Sequence, residues 1–139
     1  MKIGEYVLAR THAQLLNELL GTNYKSWMKS GYNLPDGKLI WMIELGNFVS
    51  SSGWINRLTT FDRISEKHVE KDYAYGTHST YKGAVLNNSY KKLADRVVFD
   101  IIKGETSRKY IFRGVFRLNE EESTVEENIW TLVSDEYTL

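Results

Sequence analysis

The chain has 139 residues, of which 42% are apolar and 26% are charged, so we expect one folded domain over residues 1–139. The absence of cysteine excludes a disulfide framework, a thiolate metal site and a cysteine nucleophile. No apolar run approaches the roughly 20 residues that cross a bilayer, and the N-terminus lacks the pattern of a secretory signal. We therefore expect a cytoplasmic protein that does not contact membranes.

The chain carries 18 basic and 18 acidic residues, but the two signs are unevenly distributed. Residues 1–118 contain all 18 basic residues and 11 of the acidic ones, whereas residues 119–139 contain seven acidic residues and no basic one. This asymmetry indicates a cationic surface that binds a polyanion. The alternative is an acidic C-terminal segment that folds back and neutralises the rest of the chain.

The N-terminal region has the pattern of a helix over residues 11–20. Thr11 is a good N-cap, Gln14 completes a capping box, and Gly21 is the residue type that ends helices with a positive φ. The apolar residues between these ends recur near the helical period: Ala13, Leu15, Leu16, Leu19 and Leu20.

The next segment is predicted to form a second short helix and then a turn. This helix starts at Asn23 and carries Trp27 and Met28. Pro35 presets φ and Gly37 accepts the strained position, so the chain turns between the two residues.

Segments rich in β-branched and aromatic residues are predicted to be strands. They cover residues 39–45, 54–60, 97–102, 109–118 and 129–133. The first is apolar on both sides, as in a central strand, and the second is extended by residues 62–64 after a bend. Residues 65–95 are predicted to be mostly loop, with a helical turn near residues 90–94.

The order of one or two helices followed by five strands defines an α+β fold. Because consecutive strands are joined by short turns, we expect a small curved antiparallel sheet or a partly open β-barrel. Gly114 in the middle of a strand marks a bulge or tight bend of the kind that barrel corners need.

The first candidate site lies at the start of the second predicted strand. Ser51 and Ser52 precede a glycine and offer hydroxyl and backbone N–H groups to a phosphate. Trp54 can stack on a base, Asn56 can pair with a base edge, and Arg57 can neutralise a phosphate. The alternative is a hairpin turn in which Trp54 anchors the core and Arg57 faces solvent.

The second candidate site lies in the tyrosine-rich part of the predicted loop. His78, Tyr81 and Lys82 interleave aromatic and basic groups, which suits a single strand or a flipped nucleotide. The fragment YGTHSTY also resembles the His and Tyr pair that holds nicotinamide dinucleotide in ADP-ribosyltransferases. The remaining alternative is a loop that only packs over the sheet.

Metal binding and catalysis have little support in the sequence. The histidines His12, His68 and His78 are far apart without ligand spacing, and His12 in the first helical turn is expected to be exposed. Glu66 and Lys67 are the nearest match to a two-metal nuclease cluster, but they lack its strand context. No nucleophile elbow, Walker loop or dinucleotide fingerprint occurs. We therefore expect no metal, no cofactor and no catalytic residue.

The strand KYIFRGVFRL is followed, after an acidic turn, by IWTLVSDEYTL. This pair resembles the closing hairpin of PUA-like barrels, which include the SRA domains that read modified cytosine. The stretches LIWMIEL and SSSGWINRL are similar to segments of domains in bacterial restriction and defence proteins. The resemblance implies a PUA-like barrel and a nucleic-acid reader that holds an extruded base; it does not imply catalysis.

The cationic body, the aromatic residues and the resemblance together predict a module that binds nucleic acid, expected to be DNA. It would recognise a modified or flipped base through an aromatic pocket flanked by basic residues. Two alternatives remain open: a nucleotide-using enzyme of the ADP-ribosyltransferase type, and a protein-interaction domain whose acidic C-terminal segment docks on a basic partner. Truncation after Leu118 separates an acidic appendage from a strand that carries Trp130 and Val133 into the core.

Overall fold

The computed structural model describes residues 1–46, 50, 53–68, 80–86 and 93–139. Eight strands and two helices lie within these residues. In chain order they are β1 (Tyr6–Ala9), α1 (His12–Leu20), β2 (Gly31–Asn33), β3 (Leu39–Ile43), β4 (Trp54–Thr60), β5 (Arg63–His68), α2 (Tyr81–Leu86), β6 (Arg96–Lys103), β7 (Arg108–Leu118) and β8 (Glu127–Ser134).

The chain divides into two compact units. Unit 1 consists of Met1–Glu44, Arg96–Val115 and Val133–Leu139, and unit 2 consists of Leu45–Asp95 and Phe116–Leu132. Strands β7 and β8 contribute residues to both units. The predicted α+β class with a sheet is confirmed, whereas the partly open barrel stays a prediction.

The sheet of unit 1 has the strand order β2-β3-β6-β7, with β1 paired to β7. Strands β3 and β6 run parallel, with Leu39 opposite Arg96 and Ile43 opposite Asp100, while β2–β3 and β1–β7 are antiparallel. The expectation of an antiparallel sheet is therefore wrong for β3 and β6. Parallel neighbours need a long crossover connection, and residues 44–95 provide it here.

Apolar residues of α1, β3, β6 and β7 form the core of unit 1. Strand β3 is buried along most of its length, as its two-sided apolar pattern predicts. Phe99 and Phe112 are fully buried, with ring centroids 5.8 Å apart, and Leu15 and Leu16 of α1 are equally inaccessible. Full burial of each such side chain contributes about 1.5–3 kcal/mol, so this cluster is the main source of stability in unit 1.

Helix α1 begins and ends where the capping signals predict. The hydroxyl of Thr11 accepts a hydrogen bond from the backbone N–H of Gln14 at 3.1 Å. Gly21 has a φ of +68° and donates its N–H to the carbonyl of Asn17 at 2.9 Å, which closes the C-terminus. The predicted helix is therefore confirmed.

The predicted second helix after Asn23 is wrong, since residues 21–30 contain neither helix nor strand. The Asn17 side chain accepts a hydrogen bond from the N–H of Tyr24 at 2.8 Å and donates one to its carbonyl at 2.9 Å. Asparagine side chains compete in this way with helical hydrogen bonds. Both backbone groups of Tyr24 are thus engaged outside a helical pattern.

Strands β1, β2 and β5 and helix α2 extend beyond the sequence-based prediction. Strands β1 and β2 have only four and three residues, which is too short for alternation to be recognised. Strand β5 and α2 occupy parts of the segment that was expected to be loop. The predicted helical turn near residues 90–94 lies partly outside the described residues, and Leu93 and Ala94 are not helical.

The expectation that His12 is exposed is wrong. Its Nδ1 lies 2.8 Å from the Tyr110 hydroxyl, and the two rings pack edge to face with centroids 5.7 Å apart. Burial, and to a lesser extent the positive charge of Arg108, lowers the pKa of His12 to about 4. The folded protein therefore holds a neutral imidazole at neutral pH.

We expect His12 to make the fold sensitive to acid. Its pKa is about 4 when folded and near 6.5 when unfolded, so the unfolded chain binds the proton first as the pH falls. The stabilisation is complete above the unfolded pKa and is lost as the pH falls to the folded pKa. The loss is about 1–2 kcal/mol after allowance for partial exposure. Urea unfolding across this window should show a steeper loss for wild type than for His12→Gln, and equal slopes would contradict the assignment.

The sheet of unit 2 has the order β8-β5-β4, with antiparallel pairing throughout. Ile64 of β5 lies opposite Trp130 of β8, and both side chains are fully buried. Arg63 and Glu122 form an ion pair of 2.6 Å. The acidic C-terminal segment thus contains a core strand, and it is not an appendage available for docking as a whole.

Truncation after Leu118 should unfold unit 2, because it removes β8 and the buried Trp130. We expect loss of near-ultraviolet circular dichroism and of a cooperative melting transition. Deletion of Thr138 and Leu139 alone is the control and should melt like the wild type. A truncated chain that melts cooperatively at the wild-type temperature would show that β8 is dispensable.

Candidate functional site

The pairing of β4 with β5 decides which side chains share a face in unit 2. Trp54 lies opposite His68 and Asn56 lies opposite Glu66, so these side chains belong to one face, here called the inner face. The next residue, Arg57, is exposed and belongs to the other face. The structure keeps two residues of the first predicted site together and separates Arg57 from them.

Three polar residues form a row across the inner face, one from each strand: Asn56, Glu66 and Asn128, here called the polar row. Glu66 Oε1 accepts hydrogen bonds from Asn128 Nδ2 at 2.9 Å and from Trp130 Nε1 at 3.1 Å. Glu66 is only 9% exposed and Asn128 only 1%. Because a buried charge without partners costs several kcal/mol, these donors are required for the strand pairing.

Helix α2 is attached to the polar row through its first turn. The N–H of Tyr81 donates to Asn128 Oδ1 at 2.8 Å. The fully buried Thr80 precedes the helix, and its hydroxyl accepts from the N–H of Gly83 at 3.1 Å. Asn128 therefore connects the backbone of Tyr81, from the second predicted site, with Glu66.

The side-chain oxygen of Asn56 is the exception in the polar row. Its Oδ1 is buried, and no donor within the described part of the chain reaches it. An unpaired buried acceptor costs about 1–3 kcal/mol, and folded proteins contain few of them. This oxygen therefore marks a position where a ligand can supply the missing donor.

Trp54 is half-buried at the end of the inner face. Its ring packs perpendicular to that of His68, with centroids 4.9 Å apart. Ser50 is hydrogen-bonded to the residues at the start of β4: its N–H donates to the Trp54 carbonyl at 2.8 Å, its carbonyl accepts from the N–H of Gly53 at 2.9 Å, and its Oγ accepts from the N–H of Trp54 at 3.0 Å. Ser50 thus fixes the backbone that presents the indole ring.

The structure says less about the four remaining residues of the two predicted sites. Lys82 is half-buried in α2, and three residues lie outside the described part of the chain: Ser51, Ser52 and His78. The roles predicted for these four residues stay predictions.

Sequence reasoning missed Glu66 and Asn128 as site residues. They are 62 positions apart, and only the pairing of β5 with β8 brings them into contact. Glu66 does lie on a strand, contrary to expectation, but Lys67 belongs to the opposite face because neighbouring strand residues alternate. Recognition of a hairpin over residues 54–68 would have placed Glu66 opposite Asn56.

Within the described ranges, no group of three His, Cys, Asp or Glu side chains could hold a metal ion. None of the described helices is long and apolar enough to cross a membrane.

The sequence and the fold can be compared with those of known proteins. The sequence profile of the SRA (SET and RING associated) domain family matches residues 1–139. The chain therefore belongs to the SRA domain family, as the resemblance of its closing strands predicted. Membership of this family supports the predicted class of the protein, a module that binds DNA and recognises modified bases.

One similar solved structure is the 5-hydroxymethylcytosine-specific restriction enzyme AbaSI, with 21% sequence identity and a TM-score of 0.66. The match covers 95% of this chain and 40% of that one, so this chain spans less than half the length of the enzyme. The likeness shows a shared fold. A search of curated protein sequences found no significant match.

We expect Asn128→Ala to destabilise the protein by about 2–3 kcal/mol, because it removes the Asn128 donor to the buried Glu66 and leaves the N–H of Tyr81 without the Asn128 acceptor. Guanidinium unfolding measures this loss. The control is the exposed neighbour Glu126, whose change to alanine should stay within about 0.5 kcal/mol of wild type. Equal stability of the two variants would mean that the polar row does not hold the strands together.

Proposed function

We propose that the chain is a DNA-binding module that reads one modified cytosine at the inner face of unit 2. The observation that carries the proposal is the buried Oδ1 of Asn56, to which the described residues supply no donor. It lies on the strand position opposite the buried carboxylate of Glu66. Two acceptors side by side suit a ligand edge that presents two donors.

A cytosine modified at C5 offers such donors. Its N4 amino group donates hydrogen bonds, and a 5-hydroxymethyl group adds a hydroxyl donor. We assign Asn56 Oδ1 to one of these donors and the Glu66 carboxylate to the other. A carboxylate has about four acceptor positions, so Glu66 can accept from a base in addition to its protein donors. A hydrogen bond to a charged acceptor is worth about 1.5–3 kcal/mol.

The aromatic pocket of the proposal is built on Trp54. Its half-buried ring lies on the same face as the polar row, where a base can stack on it. Such stacking contributes about 1–3 kcal/mol per base. A base inside the duplex cannot reach a buried acceptor, so the nucleotide must be extruded, at a cost of a few kcal/mol that stacking and hydrogen bonding offset.

Discrimination between bases follows from the unpaired acceptor. A base that lacks the additional hydroxyl leaves one buried acceptor without a donor, and sites of this kind reject such analogues strongly. The name of the similar enzyme, which is specific for 5-hydroxymethylcytosine, makes this base the first probe to use. A role in restriction of modified DNA is the corresponding biological proposal.

The phosphate contacts of the proposal come from other residues. Arg57 is exposed on the face opposite the inner face, so we assign it to the DNA backbone and not to the base. Tyr81 and Lys82 are the first residues of α2, and the N–H of Tyr81 binds Asn128 of the polar row. We assign both side chains to the phosphates of the DNA strand that carries the extruded base.

We also propose that units 1 and 2 act as the single domain expected from the chain length. The support is that one family profile spans both units. The ADP-ribosyltransferase alternative depends on His78, which lies outside the described residues, and no observation favours it.

Fluorescence polarisation with two duplexes that differ only in one 5-hydroxymethyl group tests base reading. The wild type should bind the modified duplex more tightly. Asn56→Leu should reduce this preference by about tenfold or more, corresponding to about 1.4 kcal/mol. The free variant should be at least as stable as the wild type, because an unpaired buried acceptor is replaced by an apolar group.

The matched control is Arg57→Leu, the next residue on the opposite face, which should keep the preference for the modified duplex. Equal affinity of the wild type for both duplexes, or an unchanged preference in Asn56→Leu, would refute base reading at the inner face.

A further inference from the structure

Residues 21–30 of unit 1, here called the lysine loop, form an exposed and locally cationic segment. Between Glu18 and Asp36 the only charged residues are Lys25 and Lys29. Both are exposed, and neither forms an ion pair within the described part of the chain. Met28 beside them is 92% exposed, which is extreme for a large apolar side chain.

The lysine loop is held in place although it lacks regular secondary structure. Asn17 of α1 binds both backbone groups of Tyr24, at 2.8 and 2.9 Å, and also accepts from the hydroxyl of Thr22 at 2.8 Å. The indole N–H of Trp27 donates to the carbonyl of Gly31 at 3.3 Å. These hydrogen bonds fix the backbone that carries the exposed side chains of Lys25, Met28 and Lys29.

Three aromatic rings form the base of the lysine loop. Trp27 packs against the core of unit 1 and lies 4.9 Å from Tyr32 and 5.1 Å from Tyr24, measured between ring centroids. The hydroxyls of Tyr24 and Tyr32 are 3.0 Å apart. The three rings pack against one another, and Met28 is not part of this cluster.

We propose that the lysine loop is a second DNA contact, which binds the duplex backbone independently of base identity. Lys25 and Lys29 neutralise phosphates, and Met28 packs on the sugars and base edges of the groove between them. The inference rests on the proposed function, because it adds a sequence-independent DNA contact in unit 1 to the base reading proposed for unit 2. Charge complementarity with phosphate selects DNA as the occupant, and a fixed backbone lowers the entropy lost on binding.

The combination of groups distinguishes this surface from an ordinary solvated loop. Lysines on a solvated face need no apolar neighbour, whereas proteins that grip the groove of DNA pair cationic side chains with an exposed apolar wedge, methionine among them.

The test compares salt dependence among variants of the whole chain, using a duplex with one 5-hydroxymethylcytosine and its unmodified counterpart. Lys25→Ala/Lys29→Ala should reduce the slope of log K against log salt by about 1.8, since each phosphate contact contributes about 0.9. Affinity should fall roughly tenfold or more at 0.1 M salt, equally for both duplexes. Met28→Ala should weaken binding of both duplexes without a change in slope.

Lys2→Ala/Lys109→Ala is the matched control, because it removes the same charge from other positions of unit 1. Thermal melting of each variant checks the fold. An unchanged slope in the loop variant, or an equal change in the control, overturns the inference while the preference for the modified duplex upholds the proposed function. A wild type that binds neither duplex overturns both. A wild type that shows no preference for the modified duplex, while the loop variant still lowers the salt slope, overturns the base-reading proposal alone.

Discussion

The burial of the Glu66 carboxylate is the constraint on which the arrangement of unit 2 depends. A charge that leaves water must be met by hydrogen-bond donors, and here Asn128 and Trp130 of β8 supply them at 2.9 and 3.1 Å. These donors reach Glu66 only when β5 and β8 pair in the observed register, since a shift of one residue would turn the donor side chains to the other face of the sheet. The carboxylate thus specifies strand register as well as the chemistry of the inner face. Asn128 extends the same network to the first turn of α2.

A protein selected only for stability would not keep a buried oxygen such as Asn56 Oδ1, which has no donor among the residues that the structure describes. The polar row satisfies Glu66 and Asn128 from within the fold but leaves this neighbouring acceptor without a described partner. Stability is often lower at binding sites because their groups are arranged for a ligand and not for the free protein. The lysine loop is also arranged at a cost to the free protein, since its hydrogen-bonded backbone keeps the apolar side chain of Met28 exposed to water. Base reading and backbone binding are therefore assigned to different residues, with different dependence on salt.

Local signals in the sequence were sufficient for several elements. The capping residues Thr11 and Gly21 located α1, and alternation located β4 with its observed bounds. The predicted helix after Asn23 failed because the side chain of Asn17 captures the backbone of Tyr24, an interaction that propensity does not describe. The parallel pairing of β3 with β6 depends on a long crossover, which strand patterns do not reveal. For the site, residue type indicated Trp54 and Asn56, whereas Glu66 and Asn128 became visible only through register.

The central claim is that a modified base leaves the duplex and meets the polar row. A crystal structure of the chain with a duplex that contains one 5-hydroxymethylcytosine tests it most directly. The account predicts that this nucleotide is extruded, stacked on Trp54, and within hydrogen-bond distance of Asn56 Oδ1. A structure in which the modified base remains stacked in the duplex, or lies in a site that does not include Asn56, would contradict the account.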